Sequence, residues 1–119
     1  MTDNVIGGTT QYSKADIQRA AEAALRHHNA GTTVGDGNYP HHFGNFNNQV
    51  PLVANCAGLD LEEFPLVKSV AYPGGTPAAP RVAVSYSGAN TVRLCAVMAH
   101  KRGNVFYRCD WTNDLRFEL

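Results

Sequence analysis

The stretch from residue 80 to residue 100, PRVAVSYSGANTVRLCAVMAH, constrains this chain most, because it reads as two strands and the turn between them. The first strand alternates apolar and other residues with a period of two, which marks a half-buried strand. Turn-forming residues follow at 87–90. Residues 92–99 are apolar on both faces, so we predict a central, two-sided strand there. The apolar row of the first strand is Val82, Val84 and Tyr86, and the opposite row is Arg81, Ala83 and Ser85.

Arg81 enters the first of these strands and His100 leaves the second, so antiparallel pairing can bring the two residues close together. An arginine and a histidine held together on a sheet can bind and protonate a phosphate. A surface arginine and an edge histidine are the alternative that these two residues leave open, since such side chains are mostly exposed and solvated.

One helix is predicted ahead of the strands. Ser13 and Asp16 form a variant of the capping box that marks a helix start, and Gly31 suits the position just after a helix end. We therefore predict a helix over residues 13–29, and we expect His27 and His28 to lie at its surface or terminus. The residues that recur at helical spacing are Ile17, Ala21, Ala24, Leu25 and His28.

Besides the hairpin, strand signals occur at residues 61–67 and 104–111, while residues 31–60 are mostly loop. One helix followed by strands predicts an α+β fold, in which one N-terminal α-helix packs on a central antiparallel β-sheet of four to five strands. A chain of 119 residues is expected to form one domain, residues 1–119. The second face of the sheet is then free to build a site.

The composition excludes several classes of protein. Ten basic residues balance ten acidic ones, which argues against a protein that coats DNA or binds membranes through a polybasic surface. No apolar run is long enough to span a membrane. No signal peptide is recognisable, so we expect either a cytosolic protein or a recombinant mature form beginning at Met1. The three cysteines include no C-x-x-C pair, so we expect no structural zinc site, and one disulfide or three free thiols both stay open.

Residues 39–48 interleave aromatic, histidine and amide side chains with almost no charge. Flat rings stack on bases and amides read base edges, so this composition suits a site for a single nucleotide. The alternative is a polar surface loop whose aromatic rings turn into the core.

Glu63, Arg81 and His100 fall on or at the ends of three successive strands, and His41 precedes them in the chain. A carboxylate, an arginine and two histidines, without a nucleophilic serine or cysteine, form a general acid–base set around an anion. This set lacks the aspartate clusters expected of magnesium sites. We expect no metal and no cofactor.

Several short motifs, taken in order, resemble those of the fungal extracellular guanyl- or purine-preferring ribonucleases. The sarcin-like ribotoxins belong to the same superfamily. The match runs from Tyr12-Ser13 to Cys109, and the fold it implies is one helix packed across a central antiparallel sheet. The motifs are Tyr39-Pro40-His41, Glu63-Phe64-Pro65-Leu66, Arg81-Val82, Ala99-His100, Gly103-Asn104 and Phe106-Tyr107-Arg108-Cys109.

The resemblance implies a metal-free endoribonuclease that cleaves single-stranded RNA 3′ of purines, with guanine foremost. Glu63 would take the proton of the ribose 2′-hydroxyl, and His100 would protonate the leaving 5′-oxygen. A 2′,3′-cyclic phosphate would form first and then be hydrolysed to a 3′-phosphate. Arg81 would offset the charge that grows on the phosphate oxygens.

Three further residues complete the catalytic set that the resemblance implies. His41, cationic beside Glu63, would polarise the 2′-hydroxyl or serve as a substitute base. Tyr39 would donate a hydrogen bond to the phosphate, and Phe106 would supply an apolar wall.

The motifs also indicate which residue of each of two neighbouring pairs belongs to the site. The preceding Tyr-Pro selects His41, and strand alternation sends His42 to the opposite side. The following Phe-Pro selects Glu63 over Glu62. We therefore expect His42 and Glu62 to be solvated.

Base recognition is implied for the loop that follows the Tyr-Pro-His motif. Phe43 and Phe46 would stack on the base, and Asn45 would orient the loop or offer backbone groups. Asn47 stands where the relatives carry a glutamate that reads guanine, so relaxed or adenine-tolerant purine specificity stays open. Asn104 matches a position whose backbone helps to hold the base.

Cys56 and Cys95 match a pair that is bridged in some relatives, so the resemblance implies a disulfide between them. Cys109 matches a cysteine whose usual partner lies near the N-terminus, where residues 1–11 contain none. The partner of Cys109 and the role of residues 110–119 stay open.

The resemblance implies single-stranded RNA as the partner and no membrane, and we expect a secreted monomer. A second hypothesis is a ribotoxin that cuts one site in ribosomal RNA, with the ribosome as partner, because residues 99–104 look ribotoxin-like. The short loops and neutral charge argue against it. A third hypothesis is a ribonuclease-like effector that binds RNA or a host protein without cutting, although Glu63, Arg81 and His100 all persist.

Overall fold

The computed structural model describes residues 5–7, 10–45, 50, 52, 56, 58–100, 106–108 and 115–118. For the strand residues 5–7, 10–11, 100, 106–108 and 115–118 it describes the backbone alone. Among these residues, no helix is long and apolar enough to cross a membrane. The elements in chain order are β1 (Val5–Gly7), β2 (Thr10–Tyr12), α1 (Lys14–Ala30), β3 (His41–His42), β4 (Glu62–Pro65), β5 (Pro80–Tyr86), β6 (Thr91–His100), β7 (Phe106–Arg108) and β8 (Leu115–Glu118).

Helix α1 begins and ends where the sequence signals place it. The Ser13 hydroxyl accepts a hydrogen bond from the Asp16 N–H (3.1 Å), and the Asp16 carboxylate accepts one from the Ser13 N–H (3.0 Å). This reciprocal pair is a capping box. Gly31 ends the helix in the left-handed conformation (φ 68°), which glycine adopts without steric cost. The helix predicted over residues 13–29 is confirmed.

The predicted hairpin forms the centre of the main sheet. β5 and β6 pair antiparallel in a register that joins Pro80 to Ala99 and Arg81 to Met98. The strand order is β3-β4-β5-β6-β7, and β8 also pairs with β6. β6 therefore has β5 on one side and both β7 and β8 on the other, which confirms the central position predicted for residues 92–99.

The α+β class is confirmed, but the described sheet has six strands rather than four to five. β3 holds only two residues inside a segment predicted as loop, and it is a strand because it pairs with β4. β8 lies in the segment 110–119, whose role the sequence leaves open, and it pairs with Thr91 to Leu94 of β6. Outside this sheet, β1 and β2 form a hairpin of their own.

Two apolar cores lie on opposite faces of the sheet, since the consecutive strand residues Val82 and Ala83 belong to different cores. The larger core packs α1 against the sheet, and the smaller one joins Phe43, Val50, Cys56 and Leu61 to the opposite face. The smaller core therefore holds these four residues against the sheet. Its members are Phe43, Val50, Cys56, Leu61, Ala83, Cys95, Ala96 and Met98.

Cys56 and Cys95 form a disulfide across a sequence separation of 39 residues, which confirms the pairing that the resemblance implies. Both cysteines are fully buried in the smaller core. The bridge therefore ties the loop to β6. Cys109 lies outside the described residues.

Asp16 links the start of α1 to a distant loop. Its carboxylate accepts a hydrogen bond from the Ser69 N–H (2.9 Å) and one from the Arg19 guanidinium (3.0 Å), in addition to the capping bond. Burial acts to raise the pKa of this carboxyl, but hydrogen bonds from Ser69, Ser13 and Arg19 outweigh it and lower the pKa from 3.8 to about 2. The folded protein therefore favours the ionised form.

We expect Asp16→Asn to remove part of the pH dependence of stability. Because the pKa is lower in the folded state than the reference 3.8, the contribution of Asp16 is fully present above that value and is lost as the pH falls through about 2. It amounts to roughly 2 kcal/mol. In urea unfolding from pH 7 to pH 2, the free energies of unfolding of the wild type and the variant should converge at low pH. The exposed Asp60→Asn serves as control, and an unchanged gap between wild type and Asp16→Asn at every pH would contradict the prediction.

Candidate active site

Glu63 lies at the centre of the candidate site. It sits on β4, where its Cα partners are His41 of β3 on one side and Ala83 of β5 on the other. The residue is only 6% exposed, yet both of its carboxylate oxygens contact a basic side chain. Oε2 lies 3.1 Å from His41 Nε2, and Oε1 lies 3.3 Å from Arg81 Nε. The register of three neighbouring strands thus brings together three of the predicted residues.

Arg81 is a buried residue of the site, 4% exposed, so the alternative of a surface arginine is wrong. Its Nε faces Glu63 without the alignment of a hydrogen bond, which makes this contact an ion pair. Nη1 donates to the carbonyls of Pro80 (3.1 Å) and Ala78, and Nη2 donates to the Tyr39 hydroxyl (3.4 Å). These contacts fix the guanidinium from several directions.

His41 has an acceptor at each ring nitrogen. Nε2 faces the Glu63 carboxylate, and Nδ1 lies 2.8 Å from the Gly37 carbonyl oxygen. The hydrogen bond to Glu63 raises the pKa of His41 above 6.5, and the Gly37 bond and the Glu63 charge act in the same direction. Burial and the charge of Arg81 oppose this rise without cancelling it. The geometry therefore favours an imidazolium, which can donate to both acceptors.

Tyr39 connects His41 to Arg81. Its ring stacks on the His41 imidazole with centroids 4.5 Å apart, and the Arg81 guanidinium carbon lies 5.4 Å from the centroid of the same ring. Tyr39 is 8% exposed, and the Tyr39–Pro40 peptide bond is cis. The hydroxyl of Tyr39 and the Glu63 carboxylate thus contact the same guanidinium.

The sequence interpretation missed Tyr72 and Gly37. The Tyr72 ring meets the Tyr39 ring edge-on at 5.9 Å, and its hydroxyl donates to the Gly75 carbonyl. Burial is the main cause that raises the pKa of this hydroxyl. Gly37 lies in the segment predicted to be mostly loop, and nothing in the sequence there signals that its carbonyl reaches His41.

His100 and Phe106 pair with each other at the end of β6 and the start of β7. His100 follows Ala99, whose Cα partner on β5 is Pro80, the neighbour of Arg81. The backbone therefore places position 100 at the end of the sheet that carries Arg81. The side chains of His100 and Phe106 lie outside the described part of the structure, so their roles stay predictions.

Of the residues predicted to bind the base, the structure describes Phe43 and Asn45. Phe43 is 4% exposed and belongs to the smaller core, so stacking on a base would require its ring to be uncovered, and that role stays a prediction. Asn45 uses its side chain within the loop, since Nδ2 donates to the Val50 carbonyl (2.9 Å) and Oδ1 accepts from the Val50 N–H (3.0 Å). Phe46, Asn47 and Asn104 lie outside the described residues.

The neighbours that the sequence assigned to solvent differ in their surroundings. His42 is exposed, as predicted. Glu62 is not merely solvated, because its carboxylate accepts a hydrogen bond from the Tyr86 hydroxyl (2.7 Å) and lies 3.8 Å from His28 Nδ1. The His28 ring also stacks on Tyr86 with centroids 3.9 Å apart. Glu62 thus holds the end of α1 against the sheet on the side opposite Glu63.

The described side chains favour acid–base chemistry at an anion. Across the described ranges, no group of three or more His, Cys, Asp or Glu residues could hold a metal ion. A buried carboxylate stands between an imidazole and a guanidinium, and a hydroxyl completes the set. Such a set can accept a proton and neutralise a phosphate.

Comparisons with known proteins agree with this chemistry. The family model described as ribonuclease matches residues 2–110. The guanyl-specific ribonuclease F1 of Fusarium fujikuroi is 31% identical over 89% of this chain and 76% of its own length. The extracellular guanyl-specific ribonuclease Fl1 of Gibberella baccata is 32% identical over 71% of this chain and 80% of its own. Among solved structures, the ribonuclease He1 of Hericium erinaceus superposes with a TM-score of 0.61 at 27% identity, over 91% of this chain and 99% of that one.

Proposed function

Since this chain belongs to the ribonuclease family, we propose that it cleaves single-stranded RNA 3′ of purines at the site built around Glu63. The resemblance seen in the sequence is confirmed by the family match. The chain is a purine-preferring endoribonuclease, and the roles of its individual residues form the proposal.

In the first step, Glu63 takes the proton from the ribose 2′-hydroxyl, and the 2′-oxygen attacks the adjacent phosphorus. The bond from phosphorus to the 5′-oxygen of the next nucleotide breaks, and His100 gives that oxygen a proton. The products are a 2′,3′-cyclic phosphate and a free 5′-hydroxyl. In the second step His100 takes a proton from water, the hydroxide opens the ring, and Glu63 returns a proton to the 2′-oxygen.

Arg81 and Tyr39 stabilise the charge that develops on the phosphate. The guanidinium is already held by Glu63, Tyr39 and the Pro80 carbonyl. A group fixed before the reaction needs no reorganisation when charge appears, which makes its electrostatic contribution large. Phe106 is proposed as the apolar wall that keeps water from this phosphate.

His41 is proposed to donate a hydrogen bond to the ribose 2′-oxygen, while Glu63 acts as the base. Its raised pKa keeps the ring protonated at pH values where an ordinary histidine has lost its charge. An imidazolium beside Glu63 helps to orient the carboxylate toward the 2′-hydroxyl. If Glu63 is removed, the ring loses the partner that raises its pKa most, and it then becomes available as a base.

Guanine is proposed as the preferred base, because the relatives are named guanyl-specific ribonucleases. Asn45 links to Val50, since its side chain bonds both the N–H and the carbonyl of Val50. Asn47 carries no charge, so we propose that its amide oxygen gives weaker discrimination against adenine than a carboxylate would.

The observation that carries the proposal is the double contact of buried Glu63 with His41 and Arg81. The names of the relatives favour a general endoribonuclease over a ribotoxin or a non-catalytic effector.

We also propose secretion, because one relative is named extracellular and the Cys56–Cys95 disulfide suits an oxidising compartment. Single-stranded RNA is the proposed partner, and the protein is proposed to act as a monomer.

The test is cleavage of the dinucleoside phosphates GpC, ApC, CpC and UpC in the presence of EDTA. We expect cleavage of GpC through a cyclic phosphate, with ApC slower and the pyrimidine substrates resistant. Glu63→Gln and His100→Gln should each lower kcat/KM about 10²-fold, since each removes one proton-transfer group. Glu62→Gln is the matched control, because its carboxylate contacts Tyr86 and His28 instead, and it should keep full activity. Resistance of all four substrates in a folded protein would overturn the proposal.

A further inference from the structure

Tyr72 is a buried tyrosine to which the proposed mechanism gives no task. It is 5% exposed, and its hydroxyl donates a hydrogen bond to the Gly75 carbonyl. Its ring meets two other rings edge-on, that of Tyr39 with centroids 5.9 Å apart and that of Phe64 with centroids 6.0 Å apart. Aromatic pairs favour this arrangement at this separation. Tyr72 therefore packs directly against one residue of the candidate site, Tyr39.

The turn that leads to Tyr39 leaves space for the Tyr72 side chain. A Cβ atom at Gly35 would collide with the Tyr72 hydroxyl oxygen, and it would lie 2.8 Å from Cζ of the same ring. The φ of Gly35 is 78°, a left-handed conformation that favours glycine. Two backbone hydrogen bonds between Val34 and Tyr39, of 2.8 and 3.0 Å, close the turn. Tyr72 thus packs against the first and the last residue of the segment 35–39.

The position of the Tyr39 ring decides two contacts at the site. Its hydroxyl accepts a hydrogen bond from Arg81 Nη2 at 3.4 Å, and its ring stacks on the His41 imidazole with centroids 4.5 Å apart. The bond to Arg81 is already long, so a shift of the ring by roughly 0.5 Å would break it. The Tyr72 ring stands at 90° to that of Tyr39, whereas the His41 ring lies at 29°. The two neighbours therefore restrict different movements of the Tyr39 ring.

We propose that Tyr72 is a positioning residue of the active site, whose ring holds the Tyr39 ring where its hydroxyl contacts Arg81. The effect on catalysis rests on the proposed function, while the position of Tyr39 does not. The two parts of the Tyr72 side chain have different tasks. The ring positions Tyr39, and the hydroxyl, through its bond to the Gly75 carbonyl, contributes to stability.

Three substitutions separate the ring of Tyr72 from its hydroxyl. Tyr72→Leu removes the ring and should lower kcat for GpC about tenfold with little change in KM, since a misplaced group is missed in the transition state. Tyr72→Phe keeps the ring, so it should lose stability and retain kcat. Tyr86→Leu is the matched control, because it removes a phenol bonded to Glu62 and should also lose stability and retain kcat. Equal kcat in Tyr72→Leu and Tyr72→Phe would overturn the inference.

A double-mutant cycle with Tyr39→Phe tests whether Tyr72 acts through the Tyr39 hydroxyl. Tyr39→Phe lacks that hydroxyl, so adding Tyr72→Leu should cause almost no further loss of kcat. A purely structural effect of Tyr72→Leu would instead add to the effect of Tyr39→Phe. A further loss of about tenfold in the double variant would therefore refute the positioning role.

Proton NMR of the RNA-free protein at fixed pH tests the position of Tyr39 without any cleavage. The Tyr39 ring stacks on His41, so its ring current shifts the imidazole proton resonances. Tyr72→Leu should move these resonances, while Tyr72→Phe and Tyr86→Leu should leave them in place. Unmoved resonances in Tyr72→Leu would overturn the inference. Moved resonances in a protein that cleaves none of the substrates would reject the proposed function and keep the position of Tyr39 assigned to Tyr72.

A second variant covers the case in which Tyr72→Leu does not fold. Tyr72→Met also lacks a ring, and its flexible side chain fills irregular spaces in a core. The same loss of kcat and the same shift of the His41 resonances are expected for it. Wild-type behaviour of Tyr72→Met in both measurements would overturn the inference.

Discussion

Replacing Arg81 with glutamine is expected to lower kcat/KM for RNA about 10³-fold, the upper range for removing one preorganised electrostatic group. The substitution also leaves Glu63 buried without the guanidinium it contacts at 3.3 Å. Breaking a buried ion pair in this way is expected to reduce the free energy of unfolding by about 3 kcal/mol. His41 still contacts Glu63, which keeps the stability loss at the lower end of this range.

One further variant and a control separate the effect of charge from that of geometry at position 81. Arg81→Lys keeps the positive charge but loses the planar fork, which here reaches Glu63, Tyr39 and two backbone carbonyls. Compared with Arg81→Gln, Arg81→Lys should bring the free energy of unfolding closer to the wild-type value than it brings kcat/KM. Arg93→Gln is the matched control, because Arg93 is a half-buried arginine on the neighbouring strand for which the described residues show no ion pair. The measurements are steady-state kinetics and urea unfolding of the three variants. Equal losses of kcat/KM and of the free energy of unfolding in Arg81→Gln and Arg93→Gln would contradict the expectation.

Removing the disulfide by the double substitution Cys56→Ala, Cys95→Ala is expected to lower the free energy of unfolding by about 4 kcal/mol. The estimate follows from loop closure, since the bridge spans 39 residues and restricts the unfolded chain accordingly. Both cysteines are fully buried beside Phe43 and Val50, so the loss falls on the core that holds Phe43, one of the residues proposed to bind the base. We therefore expect KM for GpC to rise along with the loss of stability.

The measurement is urea unfolding of the wild type and the double variant, each with and without a thiol reductant. The wild type should lose stability on reduction, while the variant should be insensitive to the reductant. This second arm matters because Cys109 is a further thiol in the chain. A variant as sensitive to the reductant as the wild type would assign the effect to Cys109 and refute the prediction.

Features set by neighbouring residues were predictable from the sequence. Ser13, Asp16 and Gly31 mark the helix ends through contacts within one turn, and the structure has those contacts. The hairpin of β5 and β6 follows from its period of two and its turn residues. In both cases the interactions span a few residues along the chain, so a local pattern contains the information.

Features set by distant contacts were not predictable in the same way. The two-residue β3 is a strand only because β4 lies beside it, and β8 has its partner in β6. The burial of Arg81 depends on Tyr39 and Glu63 together, while residues 81 and 100 alone leave a surface position open. Motif resemblance brought Glu63, His41, Arg81 and Tyr39 to one site, and the structure places these four side chains in contact.

The pairing of β6 also bears on how the molecule behaves at high concentration. A long apolar strand with a bare edge can recruit the backbone of another chain and start aggregation. β6 has ten residues, and β5 covers one of its sides while β7 and β8 cover the two ends of the other. Most of its backbone hydrogen bonds are therefore satisfied inside one molecule, and the four residues of β8 cover part of an edge of β6 that could otherwise pair with a second chain.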